Sequence, residues 1–449
     1  MAKVAFIGGG GVRTPLVIFG INESAQKLGV DEVVLFDISG ERAKMMAALG
    51  QAVVRREGGS LRVREAPSIE GAIEDADFVL SSIRVGGIAA RAHDEQVAIE
   101  HGYPGQETTG PAGIAMALRT VPIAVEHARL VHRLAPRAWF INFTNPAGLI
   151  TQAILSHTDV RAVGICDTPS EMLHRIAIAL GADPETVRCE YIGLNHLGWV
   201  RKIELNGEDV TDRVLGDDRI LDHLYPAPMF DKDLIRSLRL IPTEYLYFYY
   251  SRRRALANQR AHGDTRGLEI GRLNDDLFQR LGSLLAARDD QGALAAYVRY
   301  LNERSGTYML LESSREYNAV ADAGREEDPF RSANGYHRIA LAVMNALRGV
   351  ENQRLILNVR NQGAIDGIDA NDVVEVPCQI GANAIEPERC GALPAAVRGL
   401  VLAVKEYERA AIEAAITGSA LAARKAMLLY PPIGEWEPSE GLLRDLQLS

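Results

Sequence analysis

The first 37 residues constrain the fold more than any other stretch. An apolar run, Lys3 to Ile7, meets four consecutive glycines, Gly8, Gly9, Gly10 and Gly11, and then Val12-Arg13-Thr14-Pro15. A helical pattern covers Leu16 to Leu28, and a second apolar run, Glu32 to Phe36, ends at Asp37. Glycines let a backbone approach a pyrophosphate, a helix N-terminus offers unpaired N–H groups, and an acid after the second strand accepts hydrogen bonds from an adenosine ribose. The fit to G-x-G-x-x-G is partial. Arg13 holds the third glycine's place counted from Gly8, and Thr14 holds it counted from Gly9. A tight turn in some other α/β protein is the competing reading. The position at the N-terminus and the acid at Asp37 favour a dinucleotide, NAD rather than NADP.

The same alternation continues. Helix-like Glu41 to Gly58 precedes Leu61 to Glu65, and the buried run Asp77 to Ile83 delivers Arg84, Gly86 and Gly87 at its end. The segment Arg91 to Gly110, with Arg91, His93, Asp94, Gln106, Glu107, Thr108 and Thr109, reads as a polar, shaped loop. Helical Ile114 to Leu134 leads to the buried run Ala138 to Phe143, which carries Asn142 at its end, then to Thr144, Asn145 and Pro146. Helical Leu149 to Ser156 feeds the strand Arg161 to Ile165 and hence Cys166 and Asp167. Alternating strands and helices predict a Rossmann-like, doubly wound parallel sheet over residues 1–165. Ligands bind at the C-terminal ends of such strands.

Residues 166–449 read as a mixed, mostly helical second domain. Glu190 to Leu194 and Val200 to Glu204 look like a β meander with Asn195 and His196 between them. Helices follow from about Asp217, with the aromatic run Tyr245, Tyr247, Phe248, Tyr249 and Tyr250 and the basic Arg252, Arg253 and Arg254. Helical patterns recur over Leu273 to Leu301, Tyr336 to Leu347, Pro394 to Thr417 and Leu421 to Leu429, with β runs at Arg354 to Val359 and Val373 to Val376. A net charge of -10 argues against nucleic acid or an anionic membrane as partner. No apolar run approaches the ~18 residues that span a bilayer. No signal-peptide pattern stands at the N-terminus, and four cysteines in 449 residues are no disulfide framework, so the cytoplasm is the expected compartment.

With these residues on the page the chain is similar to the NAD- and divalent-metal-dependent glycosidases of glycoside hydrolase family 4, and most of all to their 6-phospho-β-glucosidase branch. The likeness rests on V-A-F-I-G-G-G with Thr14-Pro15, G-Q-E-T-T-G at Gly105 to Gly110, and N-F-T-N-P-A-G at Asn142 to Gly148. It extends through Cys166-Asp167-Thr168-Pro169, G-L-N-H-L-G at Gly193 to Gly198, Tyr245-Leu246, and N-V-R-N-Q-G at Asn358 to Gly363. The resemblance implies a hydrolase that borrows NAD+ without net redox change. The sugar is oxidised at C3, a base removes the acidified C2 proton, the C1–O bond breaks by elimination, water adds, and the ketone is reduced again. Such enzymes depart from the two-carboxylate route of most glycosidases.

Carried over by position, Cys166 and His196 correspond to the metal ligands, with substrate oxygens and water completing the shell. Their softness alone would favour zinc, whereas the family's usual metal is manganese(II). Tyr245 falls where the β branch has its C2 base. A phenol is a poor base at neutral pH unless cations lower its pKa, and the metal with Arg266 would do so. Asp167 is a departure: the β branch often has Asn there, and the phospho-α-glucosidases have Asp as general acid. Arg91, Asp94, Asn145 and Asn195 match substrate-pocket positions. The N-G-Y-H-R around Gly335 departs from the phosphoglycosidase pattern, which leaves an unphosphorylated glycoside open. His337 and His93 are further pocket candidates.

A true dehydrogenase of the malate/lactate type and a non-catalytic NAD-binding regulator are the competing functions, and neither requires Cys166, His196 and Tyr245 together. The resemblance and the aliphatic C-terminal helices imply a homodimer or homotetramer.

Overall fold

The computed structural model describes residues 2–225, 229–313, 328–332 and 335–448. Its first half runs β1 (Ala2–Ile7), α1 (Thr14–Leu28), β2 (Val30–Phe36), α2 (Gly40–Arg56), β3 (Arg62–Glu65), α3 (Ile69–Ile73) and β4 (Phe78–Ser81). It continues through α4 (Gly87–Glu100), α5 (Gly110–Leu134), β5 (Trp139–Asn142), α6 (Ala147–His157), β6 (Arg161–Gly164), α7 (Thr168–Leu180), β7 (Val187–Leu194) and β8 (Leu197–Leu205). Strands β3, β2, β1, β4, β5 and β6 lie in that order and pair in parallel. This is the dinucleotide-binding order, with its topological switch between β1 and β4. Near-continuous apolar strands such as Phe78–Ser81, buried throughout, fit a sheet covered on both faces.

The sheet does not stop at β6. Gln353–Arg360 adds antiparallel to β6, then Val373–Gly381, β7, β8 and Ile241–Pro242 follow. Strands on both sides of residue 165 therefore share one sheet, and one apolar core runs from Val4 and Leu35 to Val376 and Tyr407. A second cluster, around Tyr191, Val214, Leu224 and Tyr247, lies under β7, β8 and the helices after them. Beyond β8 the described chain is mainly helical, as expected, ending in Ala395–Thr417, Ala420–Leu429 and Ser439–Asp445.

Two local readings differ. The polar segment from Arg91 begins in helix α4 rather than in a loop. Its Ile88-Ala89-Ala90 start and alanine content favour helix, and Gly86 and Gly87, both at positive φ, make the entry turn. Hydropathy misled here because Arg91, Asp94 and Glu95 are buried in ion pairs, not solvated. The helical run over Leu273 to Leu301 is two helices, Arg266–Ala286 and Asp290–Gly306; the Asp289 side chain caps the second by accepting from the Gly292 N–H at 2.8 Å. All four cysteines are buried free thiols. Among the described residues no helix is long and apolar enough to cross a membrane.

Candidate active site

The cofactor turn is built by close approach. Gly8, at φ +82°, lies against the Ser82 carbonyl, where no Cβ fits. A Cβ on Gly9 would come 2.7 Å from that of Leu35, and one on Gly10 would come 2.9 Å from Asp37 Oδ2. The chain thus passes the switch point with bare backbone. Gly11 closes the turn toward α1, whose Thr14 N–H donates to the Gly11 carbonyl at 3.1 Å. Asp37 accepts from the Gly10 and Ser39 N–H groups at 3.0 and 2.9 Å, which fixes the acid beside the turn and leaves lone pairs free. Thr14 Oγ1 is buried without a hydrogen-bond partner among the described residues. A bare cradle, an orphaned hydroxyl at a helix N-terminus and a braced carboxylate fit a dinucleotide.

The row of strand ends continues from this turn. Ile7, Ser81, Asn142 and Gly164 are successive partners across β1, β4, β5 and β6. Two residues beyond Gly164 comes Cys166. His196 occupies the two-residue turn between β7 and β8 at φ +59°, a left-handed conformation that histidine tolerates better than most residues. Its ring stacks on Tyr245, centroids 3.6 Å apart and planes 3° from parallel. Cys166 stands close enough to Tyr245 for their charges to interact.

The histidine's tautomer follows from its neighbours. The Thr108 hydroxyl donates to Gln106 Oε1 at 2.8 Å and lies 2.9 Å from His196 Nδ1. With its one proton committed, that hydroxyl accepts from Nδ1–H, and Nε2 is left as an unprotonated lone pair. Burial lowers the imidazole pKa to about 3, so the ring is neutral. Burial, then Glu375 and Asp167, raise the Cys166 thiol well above its ordinary value; thiolate there needs a cation. A neutral imidazole oriented from behind and a thiol awaiting a cation fit a divalent metal. Among the described residues no three His, Cys, Asp or Glu side chains group to hold one, so two protein ligands would be completed by substrate and water.

Asp167 begins α7 without capping it. Burial raises its carboxyl pKa, against the charge of Arg13, and the Tyr336 hydroxyl hydrogen-bonds to it. Arg13 itself lies over the Tyr336 ring, 4.2 Å from the centroid. Burial and the charge of Glu107 hold the Tyr245 phenol well above its usual range. Arg266, expected to lower it, is spent elsewhere, donating to Glu269 at 2.7 Å and to the Arg304 carbonyl at 2.5 Å. Arg91 is a cation whose charge couples to Tyr245.

Other expected residues are occupied as well. Asp94 is paired with Arg119, and Arg84 with Glu107. The two N–H groups of the Asn142 amide are shared among Thr144 O, Ala147 O and Thr151 Oγ1, and its Oδ1 accepts from the Thr144 N–H, so its whole amide braces the turn after β5. Asn195 is shared between the Gly148 N–H and Glu375. Asn145 is different: its Oδ1 is buried with no partner among the described residues. His93 faces the Asp445 carbonyl, outside the site, and His337 is buried with its pKa lowered to about 4 by burial. Of N-G-Y-H-R, Asn334 lies outside the described residues.

Sequence reasoning passed over several members of this cluster. Glu107 joins Arg84 to Arg91, the latter at 2.9 Å. Glu244, raised to about 7 by burial, accepts from the Thr168 hydroxyl at 2.9 Å and lies 3.4 Å from that of Tyr308. Arg304 donates to the Tyr300 hydroxyl at 3.0 Å. Burial, with Arg13 and Arg91 nearby, lowers its pKa. Among the described residues neither Arg13 nor Arg304 has a carboxylate at ion-pair distance. Two signals were available in the sequence: Glu107 inside G-Q-E-T-T-G, and a lone acid, Glu375, inside an apolar strand.

Comparison with known proteins shows the family to which the chain belongs. The profile of family 4 glycosyl hydrolases matches residues 3–182, and that of the family's C-terminal domain matches residues 191–433. The chain is a family 4 glycosyl hydrolase. It is 30% identical over 438 residues to a probable 6-phospho-β-glucosidase of Bacillus subtilis, covering 96% of this chain and 92% of that one. A phospho-α-glucosidase of Clostridium acetobutylicum is 25% identical over 99% of this chain and 96% of its own length. The 6-phospho-β-glucosidase of Thermotoga maritima, solved with manganese, NAD+ and glucose-6-phosphate, superposes with a TM-score of 0.81 at 28% identity, covering 99% of this chain and 97% of that one. The family 4 hydrolase described here thus shares the Rossmann-like sheet and helical C-terminal part of its relatives.

Proposed function

We propose that this family 4 glycosidase hydrolyses a 6-phospho-β-glucoside with NAD+ and a divalent metal, manganese by preference, as cofactors. The observation that carries the reading is the Tyr245 ring stacked 3.6 Å from His196, beside Cys166, on the sheet edge that bears the Gly8–Gly11 turn. A malate- or lactate-type dehydrogenase has no need of that thiol and phenol.

When bound, NAD+ supplies the reversible oxidation at C3, and the metal polarises the C2 and C3 oxygens. Cys166 and His196 would hold the metal; Gly8 to Gly11, Thr14 and Asp37 would hold the cofactor. Tyr245 takes the C2 proton, which requires positive charge near its phenol; Arg91 provides part of it. Asp167, whose burial favours the protonated form, gives a proton to the leaving oxygen. Asn145 offers its free Oδ1 to a sugar hydroxyl. Arg13 and Arg304, with no carboxylate at ion-pair distance among the described residues, support an anionic 6-phosphate over a neutral sugar. Asp167 also favours a second reading, a phospho-α-glucosidase, in which this acid has the same duty. Residues 1–165 form the cofactor unit and residues 166–449 carry the metal ligands and the base. Exposed Leu421, Leu428 and Trp436 on the C-terminal helices and turn support a homodimer or homotetramer.

The test supplies NAD+, Mn2+ and reductant with 4-nitrophenyl 6-phospho-β-glucoside, its α anomer and the unphosphorylated analogues. Nitrophenol release from the phosphorylated β anomer without accumulating NADH is expected. Stoichiometric NADH with no cleavage would sink the proposal, and preference for the α anomer would select the second reading.

A further inference from the structure

Glu375 is a single acid within Val373-Val374-Glu375-Val376-Pro377, and it is fully buried. Its carboxylate receives three hydrogen bonds: from the Tyr191 hydroxyl at 2.6 Å, from Asn358 Nδ2 at 3.0 Å and from Asn195 Nδ2 at 3.1 Å. No cation stands at ion-pair distance among the described residues. Packing alone does not explain such a group, because an apolar residue of similar size fills a strand interior without desolvating a carboxylate.

What the donors share is their position. Backbone pairing sets Gly193, Glu375, Asn358 and Gly164 side by side on four neighbouring strands. Asn195 precedes His196 in the hairpin turn, and Gly164 lies two residues before Cys166. Asn358 presses over Gly164, where an added Cβ would come 2.9 Å from its own. Tyr191 reaches the carboxylate across Gly198, where any Cβ would overlap the phenol oxygen. Glu375 therefore ties the turn bearing His196 to the strand that leads to Cys166, two segments that do not pair with each other in the sheet.

We propose that Glu375 is a positioning residue for the metal centre, holding the His196 turn and the Cys166 strand at the separation a divalent cation requires. This rests on the reading of Cys166 and His196 as metal ligands. Outer groups that orient ligands change metal affinity about 10–100-fold when removed.

The experiment titrates Mn2+ alone into the full-length protein and reads free ion by electron paramagnetic resonance, with NAD+ affinity measured in parallel by tryptophan fluorescence. Glu375→Gln keeps the volume but turns an amide toward Asn195 or Asn358. It is expected to weaken Mn2+ binding about 10–100-fold, with NAD+ affinity unchanged. Parental Mn2+ affinity in this variant overturns the proposal. So does an equal loss in Tyr191→Phe, which leaves the Asn195 and Asn358 bonds in place and would mark a general packing effect. Asn195→Ser cuts the arm from Glu375 to the turn, together with the bond that Asn195 accepts from the Gly148 N–H; should Glu375→Gln fail to accumulate, parental Mn2+ affinity in this variant overturns the proposal in the same way. Cys166→Ser tests the underlying reading: parental Mn2+ affinity there removes the metal site itself, whatever Glu375 does.

Discussion

Replacing Tyr245 by Phe deletes one oxygen from the site and leaves the ring that lies on His196. The stack, with centroids 3.6 Å apart, is between ring faces, so the variant keeps the contact that fixes the imidazole. The lost oxygen is within hydrogen-bond reach of Tyr308, and losing that bond costs about 0.5–1.5 kcal/mol of stability. A positioned general base contributes about 10²–10⁴ in rate, which is about 3–5 kcal/mol in the barrier. The structure thus separates two effects: kcat on 4-nitrophenyl 6-phospho-β-glucoside should fall by about 10²–10⁴, while Mn2+ affinity and the melting midpoint stay near the parent's. KM should change little, because the oxygen acts in the transition state more than in binding. A variant with near-parental kcat would remove Tyr245 from proton transfer. Mn2+ affinity falling in step with kcat would also refute the reasoning, since the ring would then have been acting through the metal site.

Three further outcomes are expected. Thr108→Val removes the acceptor behind His196 at nearly constant volume, and Mn2+ affinity should drop about 10–100-fold; a titration that matches the parent's would mean the Nδ1 contact is idle. Asp37→Ala should weaken NAD+ about 10–100-fold, the worth of one or two charge-assisted hydrogen bonds, and leave Mn2+ binding intact, which parallel titrations check. Glu107→Gln breaks a buried carboxylate held by Arg84 and Arg91, at a cost of about 3–5 kcal/mol at neutral pH. Burial works to raise that pKa, but the two arginines keep it well below the carboxylate range. A depressed folded pKa stabilises above the unfolded value near ~4.3 and fades as pH falls toward the folded value. The gap between parent and variant melting midpoints should therefore be full at pH 7 and narrow below about pH 4; a gap that widens in acid contradicts the pairing.

The N-terminal half was legible because its signals are local. Apolar runs ending in Gly8 to Gly11, Asp37, Asn142 and Cys166 mark strand ends, and parallel pairing then lines those ends up along one edge. The antiparallel continuation was not legible, since nothing local in Gln353–Arg360 says that it pairs with Arg161–Gly164, nearly two hundred residues earlier. Motif likeness singled out Cys166, His196 and Tyr245, but not what surrounds them. Arg266 and Asn195 look in sequence like ligand-facing groups, whereas in space their donors and acceptors are met by Glu269, Gly148 and Glu375. Conversely, Arg13 read as a flaw in a glycine pattern, and only the fold brings it against Tyr336 and near Asp167. Buried polar networks are invisible to hydropathy because their members satisfy one another across long sequence separations.

In the proposed mechanism this family 4 glycosidase cleaves its substrate by C2 deprotonation and elimination rather than by direct displacement at C1. Turnover of the phosphorylated β-glucoside in D2O with NAD+ and Mn2+, followed by mass and NMR analysis of the released sugar phosphate, tests it directly. Deuterium at C2 of each product molecule is predicted; complete cleavage with protium retained at C2 would contradict it.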